Sequence, residues 1–273
     1  MIRNSAVTLA ISAALFFGTP RPANSTGVNG QESPAKPAPA ATEIAHPVLV
    51  ELFTSEGCSS CPPADEMLKR MDGFQSSPDT QLIVLSEHVD YWDHDGWKDP
   101  YSSHLITERQ SAYVHAMGLE TAYTPQLIVD GSVELRQDQA QKADQTLQAA
   151  SATAKVPVRI KSLNVSGSPA TVQAQVEADG SSATHDGDIY VALALDHADS
   201  QVSRGENSGK HLSHVAVLEN LTKIGKLKKG QAFSQQVQIK LNPGMAANNL
   251  RVIAFVQESG PGKVLGAAVR KAE

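Results

Sequence analysis

Two cysteines in a Cys-x-x-Cys motif, Cys58 and Cys61, are the residues of this 273-residue chain best suited to chemistry, and the chain has no others. The motif follows an apolar run that predicts a buried strand, Val48–Thr54, and precedes a helix-like stretch, Pro62–Met71. A helix N-terminus offers free N–H groups and a partial positive charge, which both favour a thiolate over a thiol. Because the thiolate is the form that exchanges with disulfides, this placement predicts a redox-active dithiol.

The order of the two cysteines predicts their roles. Cys58 precedes the helix and is expected to be the accessible nucleophile, whereas Cys61 lies in the first turn and is expected to be the covered, resolving thiol. A structural disulfide is the alternative, but a loop this short removes little entropy from the unfolded chain. Zinc is disfavoured because there is no second Cys-x-x-Cys, although histidines can serve as ligands. We therefore predict neither a metal nor a cofactor.

The residues after the motif weaken the thiolate. Pro62 and Pro63 have no N–H and remove two donors from the helix N-terminus. Asp65 and Glu66 add negative charge to the first turn. A less stabilised thiolate means a less stabilised reduced form, so we expect a disulfide that is hard to reduce.

A proline directly before a predicted strand, Pro125, is the second candidate feature. The strand is Gln126–Asp130, and Thr124 precedes the proline. In thioredoxin-like folds a cis-proline occupies this place and faces the cysteine pair, so a cis Thr124–Pro125 bond is expected beside Cys58. The alternative is an ordinary trans proline that begins an edge strand.

An aromatic and acidic segment, Glu87–Pro100, follows the second predicted strand and contains both tryptophans. Parallel strands joined by a right-handed crossover end at the same edge of a sheet, so this segment is expected beside the cysteines. One interpretation is a substrate platform in which His88 or Asp90 moves protons; the other is an aromatic plug with solvated acids. The predicted platform residues are His88, Asp90, Tyr91, Trp92, Trp97 and Thr124. Metal binding by His88, Asp90 and His94 has no recognisable ligand spacing.

A polar loop punctuated by glycines, Arg204–His214, carries two further histidines, His211 and His214. Histidines in such a loop can bind a phosphate, a metal or a carboxylate. More often they cap or fill the loop, and that is the interpretation we favour here.

The element pattern predicts an α/β thioredoxin-like domain, residues 47–152, followed by an all-β sandwich-like domain, residues 156–273. Up to Ala152 the pattern gives β-α-β-α-β-β-α, the minimal thioredoxin order. From Val156 short apolar or alternating runs recur between turn signals, which is typical of a β-sandwich. These runs are Val156–Ile160, Val172–Ala178, Ile189–Leu195, Val237–Leu241, Val252–Val256 and Leu265–Val269.

The N-terminus predicts export. Residues 1–23 read as a signal peptide, with Arg3 before an apolar run too short for a stable membrane span. Arg21 fits poorly before a cut after Ala23, and an uncleaved anchor is the alternative. Residues 24–46 are rich in Pro, Ala, Ser and Gly and predict a disordered linker. A periplasmic or secreted location follows, with no membrane span in the mature chain, and the net charge of -6 argues against nucleic-acid binding.

The cysteine segment resembles a bacterial secreted family known only as the domain of unknown function 1223 family. The resemblance rests on Glu51–Asp65, His88–Asp93, Gly96–Pro100, Arg109–Gln110, Tyr123–Gln126, Arg204–Asn207 and the His214 segment. It runs from about Val48 to the C-terminus. It implies a thioredoxin-like N-terminal fold and a bacterial envelope location, and no substrate.

Two functions are consistent with these patterns. The first is an exported thiol–disulfide oxidoreductase-like protein whose partners are protein thiols or disulfides. The second is a non-enzymatic envelope protein that binds a metal or a protein partner through the cysteine-bearing and β domains. Because a fold hosts many functions, the site chemistry has to decide between them.

Overall fold

A computed structural model of the chain describes residues 46–74, 80–136 and 140–272, in which there are eleven β-strands and three α-helices. The N-terminal elements are β1 (His46–Thr54), α1 (Pro62–Met71), β2 (Thr80–His88), α2 (His104–Ala116), β3 (Gln126–Val129), β4 (Val133–Leu135) and α3 (Ala140–Ser151). The C-terminal elements are β5 (Val158–Ser166), β6 (Thr171–Asp179), β7 (Gly187–Gln201), β8 (His211–Leu227), β9 (Ala232–Lys240), β10 (Leu250–Gln257) and β11 (Val264–Lys271). The predicted signal peptide and the predicted linker up to residue 45 lie outside the described residues.

Eight of these strands form one mixed sheet in the order β11-β10-β7-β8-β2-β1-β3-β4. β1 pairs with β2 in parallel and with β3 in the antiparallel sense. β8 joins the two halves of the sheet, because it runs antiparallel to β7 and meets β2 in parallel at Ser86 and Val217. The strands β5, β6 and β9 form a second, antiparallel sheet.

The eight-stranded sheet curls so that its two halves face each other across a shared apolar core. Leu49 and Phe53 of β1 pack there with Ile253 and Phe255 of β10. The other face of β1 packs on α1 and α3, and the other face of β10 packs on the second sheet. Successive residues of a strand point to opposite faces, so these two strands are apolar almost throughout.

The fold class predicted from the sequence is wrong. The predicted helices and strands up to Ala152 occur in the expected order, but β7, β8, β10 and β11 extend their sheet. The chain is therefore not a thioredoxin-like α/β domain followed by a separate β-sandwich-like domain. The sequence pattern did not reveal β8. Its apolar residues follow no regular period, because the buried face changes along the strand and bulges shift its register with β7.

β7 and β8 continue beyond the sheet as an arm, which we define as residues 197–215. Ala216 has a φ of 52°, in the left-handed region that residues with a Cβ rarely adopt, and β8 bends there. The bend directs the segment His211–Val215 towards α1. His214 of this segment comes against His88 at the end of β2, with ring centroids 4.7 Å apart.

A buried ionic cluster attaches α2 to both halves of the sheet. Arg109 of α2 lies between the buried carboxylates of Glu51 and Glu87, and Tyr113 donates a hydrogen bond to Glu51 at 2.7 Å. Gln257 of β10 donates to the Tyr113 hydroxyl at 2.7 Å. Burial raises the pKa of Glu87 well above its usual range, although the charge of Arg109 opposes the shift. The raised pKa reduces the excess negative charge that two carboxyl groups would otherwise place around one cation.

Candidate functional site

The two cysteines form a disulfide at the N-terminus of α1, with their Cα atoms 5.5 Å apart. Cys61 is the N-cap residue, and prolines occupy the first two helical positions. Ser59 and Ser60 between the cysteines are exposed, whereas neither Cys58 nor Cys61 has any exposed surface. Neither sulfur is therefore accessible in the disulfide form, and greater access to Cys58 in the reduced protein stays a prediction.

Two segments from the N-terminal half pack around the disulfide. The Thr124–Pro125 peptide bond is cis, as predicted, and the Thr124 carbonyl oxygen lies 3.9 Å from Cys58 Sγ. Trp92 donates its indole N–H to Thr124 Oγ1 at 2.7 Å. A Cβ at Gly57 would lie 2.9 Å from the Cβ of Trp92, so the close approach of these segments requires a glycine.

Gln110 of α2 holds the segment that contains the cis bond. Its buried side chain donates to the Tyr123 carbonyl oxygen at 2.8 Å and to Gln126 Oε1 at 2.9 Å. These bonds fix the chain on both sides of Pro125. The position of the Thr124 carbonyl beside the disulfide therefore depends on α2 as well as on β3.

The loop of the arm, residues 202–210, contributes the C-terminal half of the site. Asn207 is fully buried, and its side-chain amide donates to the carbonyl oxygens of Glu56 at 2.8 Å and Cys58 at 2.9 Å. Glu206 accepts a hydrogen bond from the backbone N–H of Ser59 at 3.2 Å. These hydrogen bonds hold the turn that contains the disulfide against a loop about 150 residues further along the sequence.

Replacing Asn207 with alanine is expected to speed reduction of the disulfide and to lower the free energy of unfolding by about 2 kcal/mol. The variant removes both bonds to the disulfide turn and leaves two buried carbonyls without that donor. The rate of reduction by dithiothreitol and urea-induced unfolding of the oxidised protein are the measurements.

Ser208→Ala is the matched control for Asn207. Ser208 is exposed in the same loop, and its hydroxyl bonds only within the loop, to the Ser203 carbonyl oxygen at 3.1 Å. We expect the control to reduce at the rate of the unaltered protein. If the disulfide of Asn207→Ala is reduced no faster than that of Ser208→Ala, the two Asn207 hydrogen bonds do not protect the disulfide.

A buried cluster of charged side chains adjoins the disulfide turn and draws on both halves of the chain. Glu56 Oε2 accepts a hydrogen bond from the indole N–H of Trp97 at 2.8 Å, and Glu56 Oε1 lies 3.3 Å from His214 Nε2. On the other side of the imidazole, Asp65 Oδ1 lies 3.8 Å from His214 Nδ1. Asp65 also accepts a hydrogen bond from the Thr54 hydroxyl at 2.9 Å.

The side chains of this cluster are buried and include groups of both charges. Burial alone would lower the pKa of His214, but the interactions with Asp65 and Glu56 outweigh it and raise the pKa to about 9, so the ring is charged at neutral pH. Neither ring nitrogen meets the full geometry of a hydrogen bond, but carboxylate oxygens of Glu56 and Asp65 lie 3.3 and 3.8 Å from the two nitrogens, close enough to hold the proton on the ring. Asp99 lies 2.7 Å from His88 Nδ1; although burial raises the pKa of Asp99, His88 and backbone donors hold it below its usual range.

The residues predicted as a substrate platform are only partly brought together. Trp92 and Thr124 lie at the disulfide beside Pro125, and His88 and Trp97 lie in the charged cluster. Tyr91 packs with its ring 6.4 Å from that of Trp92. Asp90 is not brought to the disulfide, because it accepts from the Thr107 hydroxyl at 2.6 Å and lies 3.1 Å from His104 Nδ1 at the start of α2.

Sequence reasoning did not place four residues in this site, namely Glu56, Asp99, Asn207 and His214. Asp65 was expected to add negative charge to the first turn of the helix, and the structure shows that it is 5% exposed and faces His214. His214 was expected to cap or fill a loop. The polar, glycine-punctuated loop was the available signal for Asn207 and His214, but its partner in space could not be read from its composition.

Within the described ranges, no group of three or more His, Cys, Asp or Glu side chains is arranged to hold a metal ion. In the same part of the chain, none of the helices has the length and apolar character needed to cross a membrane.

Two solved structures resemble this fold. Protein AGR_C_4864 from Agrobacterium tumefaciens is 26% identical, with a TM-score of 0.64 over 83% of this chain and 94% of that chain. HBP35 of Porphyromonas gingivalis is 14% identical, with a TM-score of 0.60 over 84% of this chain and 76% of that chain, and its likeness concerns the fold alone. No curated protein matches the chain at a significant level. A family model described as a protein of unknown function (DUF1223) matches residues 49–257, most of the chain, and the chain belongs to this family.

Proposed function

We propose that the Cys58–Cys61 pair is a thiol–disulfide exchange site in an exported protein. The observation that carries the proposal is the disulfide itself, formed by the only two cysteines at a helix N-terminus beside the cis Thr124–Pro125 bond. A disulfide that closes so short a loop adds little to stability, so a structural role alone explains it poorly.

The exchange proceeds through a mixed disulfide. In the reduced protein the Cys58 thiolate attacks a substrate disulfide, forms a bond to one substrate sulfur and releases the other as a thiolate, which takes up a proton. Cys61 then loses its proton and attacks Cys58 Sγ, and the first substrate sulfur leaves as a thiolate. Two electrons pass from the protein dithiol to the substrate disulfide. The reverse sequence oxidises a substrate dithiol.

Exchange requires a movement at the site, because the disulfide has no exposed surface. Asn207 and Glu206 hold the arm loop on the turn, and the Trp92–Thr124 hydrogen bond closes the other side. A substrate strand that reaches Cys58 Sγ has to displace one of these contacts. The contacts of the arm loop are the more exposed of the two, since the Glu206–Ser59 bond lies at the surface.

The proposed partners are proteins with accessible thiols or disulfides in the periplasm or outside the cell. Support for the location comes from the signal-like residues 1–23. An oxidising compartment is where a lone cysteine pair cycles between dithiol and disulfide.

Replacing Cys61 with alanine is expected to leave partner proteins covalently attached to Cys58, because the resolving attack is lost. The full-length variant, expressed with its N-terminal segment, would be isolated under acid-quenched, thiol-blocked conditions. Mass spectrometry would then identify any partner that a reductant releases. The matched variant Cys58→Ala is expected to capture far less.

A pattern in which both single-cysteine variants capture nothing, or capture equally, would contradict the proposed roles. The unaltered protein serves as a further control, since its resolving cysteine releases partners within the isolation time.

A non-enzymatic envelope protein that binds a protein partner is the second candidate function. The complete burial of both cysteines favours it, because a covered disulfide exchanges slowly. In that case the disulfide stays intact in glutathione buffers of widely different potential, and neither cysteine variant captures a partner. Free-thiol counts after such equilibration therefore separate the two functions.

A further inference from the structure

We infer that the buried pair Glu56 and His214 sets the reactivity of Cys58 by opposed charges, with Glu56 disfavouring the thiolate and His214 favouring it. Both are positioning residues, since neither contacts a sulfur atom in the disulfide form. The inference deepens the proposed exchange function and rests on it for its purpose, but its test is made on the thiol itself.

The backbone couples this pair to the nucleophile. Glu56 stands two residues before Cys58, and one amide group, that of Asn207, bonds the carbonyl oxygens of both residues. Glu56 and His214 have side-chain exposures of 0% and 1%, so water screens their charges little. A poorly screened charge in the segment that carries a thiol changes the free energy of the thiolate more than that of the neutral thiol.

Other charged groups surround Glu56 and His214 and contribute to the net charge of the site. Asp65 of α1 lies on the far side of the His214 ring, and His88 of β2 lies against that ring with Asp99 as its own partner. Tyr101 packs its ring 6.1 Å from that of His214. Glu56, Asp65 and protonated His214 together carry one excess negative charge. At a pH where His214 stays protonated, removing either member of the pair therefore changes the charge at the turn by one unit, in opposite directions.

A groove next to His214 supports a role for this residue beyond packing. A groove of about 540 Å³ runs between α1 and the start of β8, and its lining includes Pro62, Asp65, Lys69, Lys210 and His214. Both ring nitrogens of His214 lack an aligned hydrogen-bond partner although the residue is buried. The groove brings solvent up to the residues around the imidazole, although the ring nitrogens themselves are covered.

The test compares the pKa of the Cys58 thiol in Glu56→Gln and His214→Gln, each in the full chain with Cys61→Ala. The ultraviolet absorbance of the thiolate, followed against pH, reports the pKa without needing access to the sulfur. We expect Glu56→Gln to lower the pKa by about one unit and His214→Gln to raise it by about one unit. The double variant is expected to return close to the starting value.

Two further variants guard against loss of structure. Glu56→Asp keeps the charge and is expected to keep the pKa, and Glu66→Gln removes an exposed charge from the first turn of α1 with little effect. Shifts of Glu56→Gln and His214→Gln in the same direction, or both within about 0.3 units of the parent, would overturn the inference. Opposed shifts without any captured partner would support this inference while removing the proposed exchange function.

Discussion

Replacing Arg251 with methionine is expected to lower the free energy of unfolding by about 3 kcal/mol. The guanidinium is 2% exposed and binds Asp72, the C-cap residue of α1, through two hydrogen bonds of 2.6 and 2.9 Å. It also donates to Asp196 of β7 at 2.7 Å. Methionine fills much of the same volume but leaves two mostly buried carboxylates without their shared cation, although Asp196 keeps another partner, Lys271.

Urea-induced unfolding of the oxidised protein measures this loss. Lys228→Met is the matched control, because Lys228 and Asp186 form an ion pair of 2.8 Å that is open to solvent, and we expect it to change stability far less than Arg251→Met does. Adding Asp72→Asn and Asp196→Asn to Arg251→Met is expected to recover part of the loss, since the uncompensated charge disappears. A loss in Arg251→Met no larger than that in the control would show that the cluster does not hold α1 to the sheet.

The ion pairs of Arg251 with Asp72 and Asp196 illustrate why the fold class could not be predicted from local sequence patterns. Strand and helix patterns up to Ala152 were informative, because each element there keeps one pattern of burial along its length: β1 and β2 are buried on both faces, and α1 has one buried face. Arg251, Asp72 and Asp196 lie in three separate parts of the chain, and nothing local marks them as partners. The strand β8 was missed for a related reason: the bend at Ala216 and the bulges change which face is buried, so its residues follow no single period.

The parts of the site that a local sequence motif marks were predicted. The parts contributed by segments far apart in the sequence were not. Cys58 and Cys61 follow from their spacing, and the cis bond before Pro125 was predicted from the place of this proline relative to the cysteine motif. Asn207 and His214 belong to the site because the arm returns them to it. A loop of polar residues and glycines fits many surroundings, so composition alone favoured the commoner role.

The way the arm meets the disulfide turn links stability to the candidate chemistry. Asn207 uses its only amide group on carbonyls of the turn, and His214 neutralises one of two buried carboxylates there. Any opening of the arm therefore exposes polar groups that lose their partners at the same time. A partner protein that supplies replacement hydrogen bonds would lower the free energy needed for this opening.

Stability is expected to fall as pH rises from about 6.5 to about 9, and His214→Gln is expected to abolish this part of the pH dependence. His214 has a pKa of about 9 in the folded protein, against an ordinary value of 6.5 when unfolded. In this window the folded state holds a proton that the unfolded state has lost, so raising the pH favours unfolding. The contribution of His214 is complete below pH 6.5, and about 3 kcal/mol of it disappears as the pH passes through 9.

The measurement is the difference in unfolding free energy between the unaltered protein and His214→Gln, from urea titrations with the disulfide intact across this pH window. Taking the difference removes the titration of other groups, including Glu87, whose raised pKa gives its own loss of stability with rising pH. His211→Gln is the matched control, because His211 lies on the same arm but is exposed, 3.9 Å from Asp199. A difference that stays constant across the window, or a control that behaves like His214→Gln, would mean that Glu56 and Asp65 do not hold the proton on His214. The arm would then be held at the disulfide by Asn207 and Glu206 without the help of a buried charge.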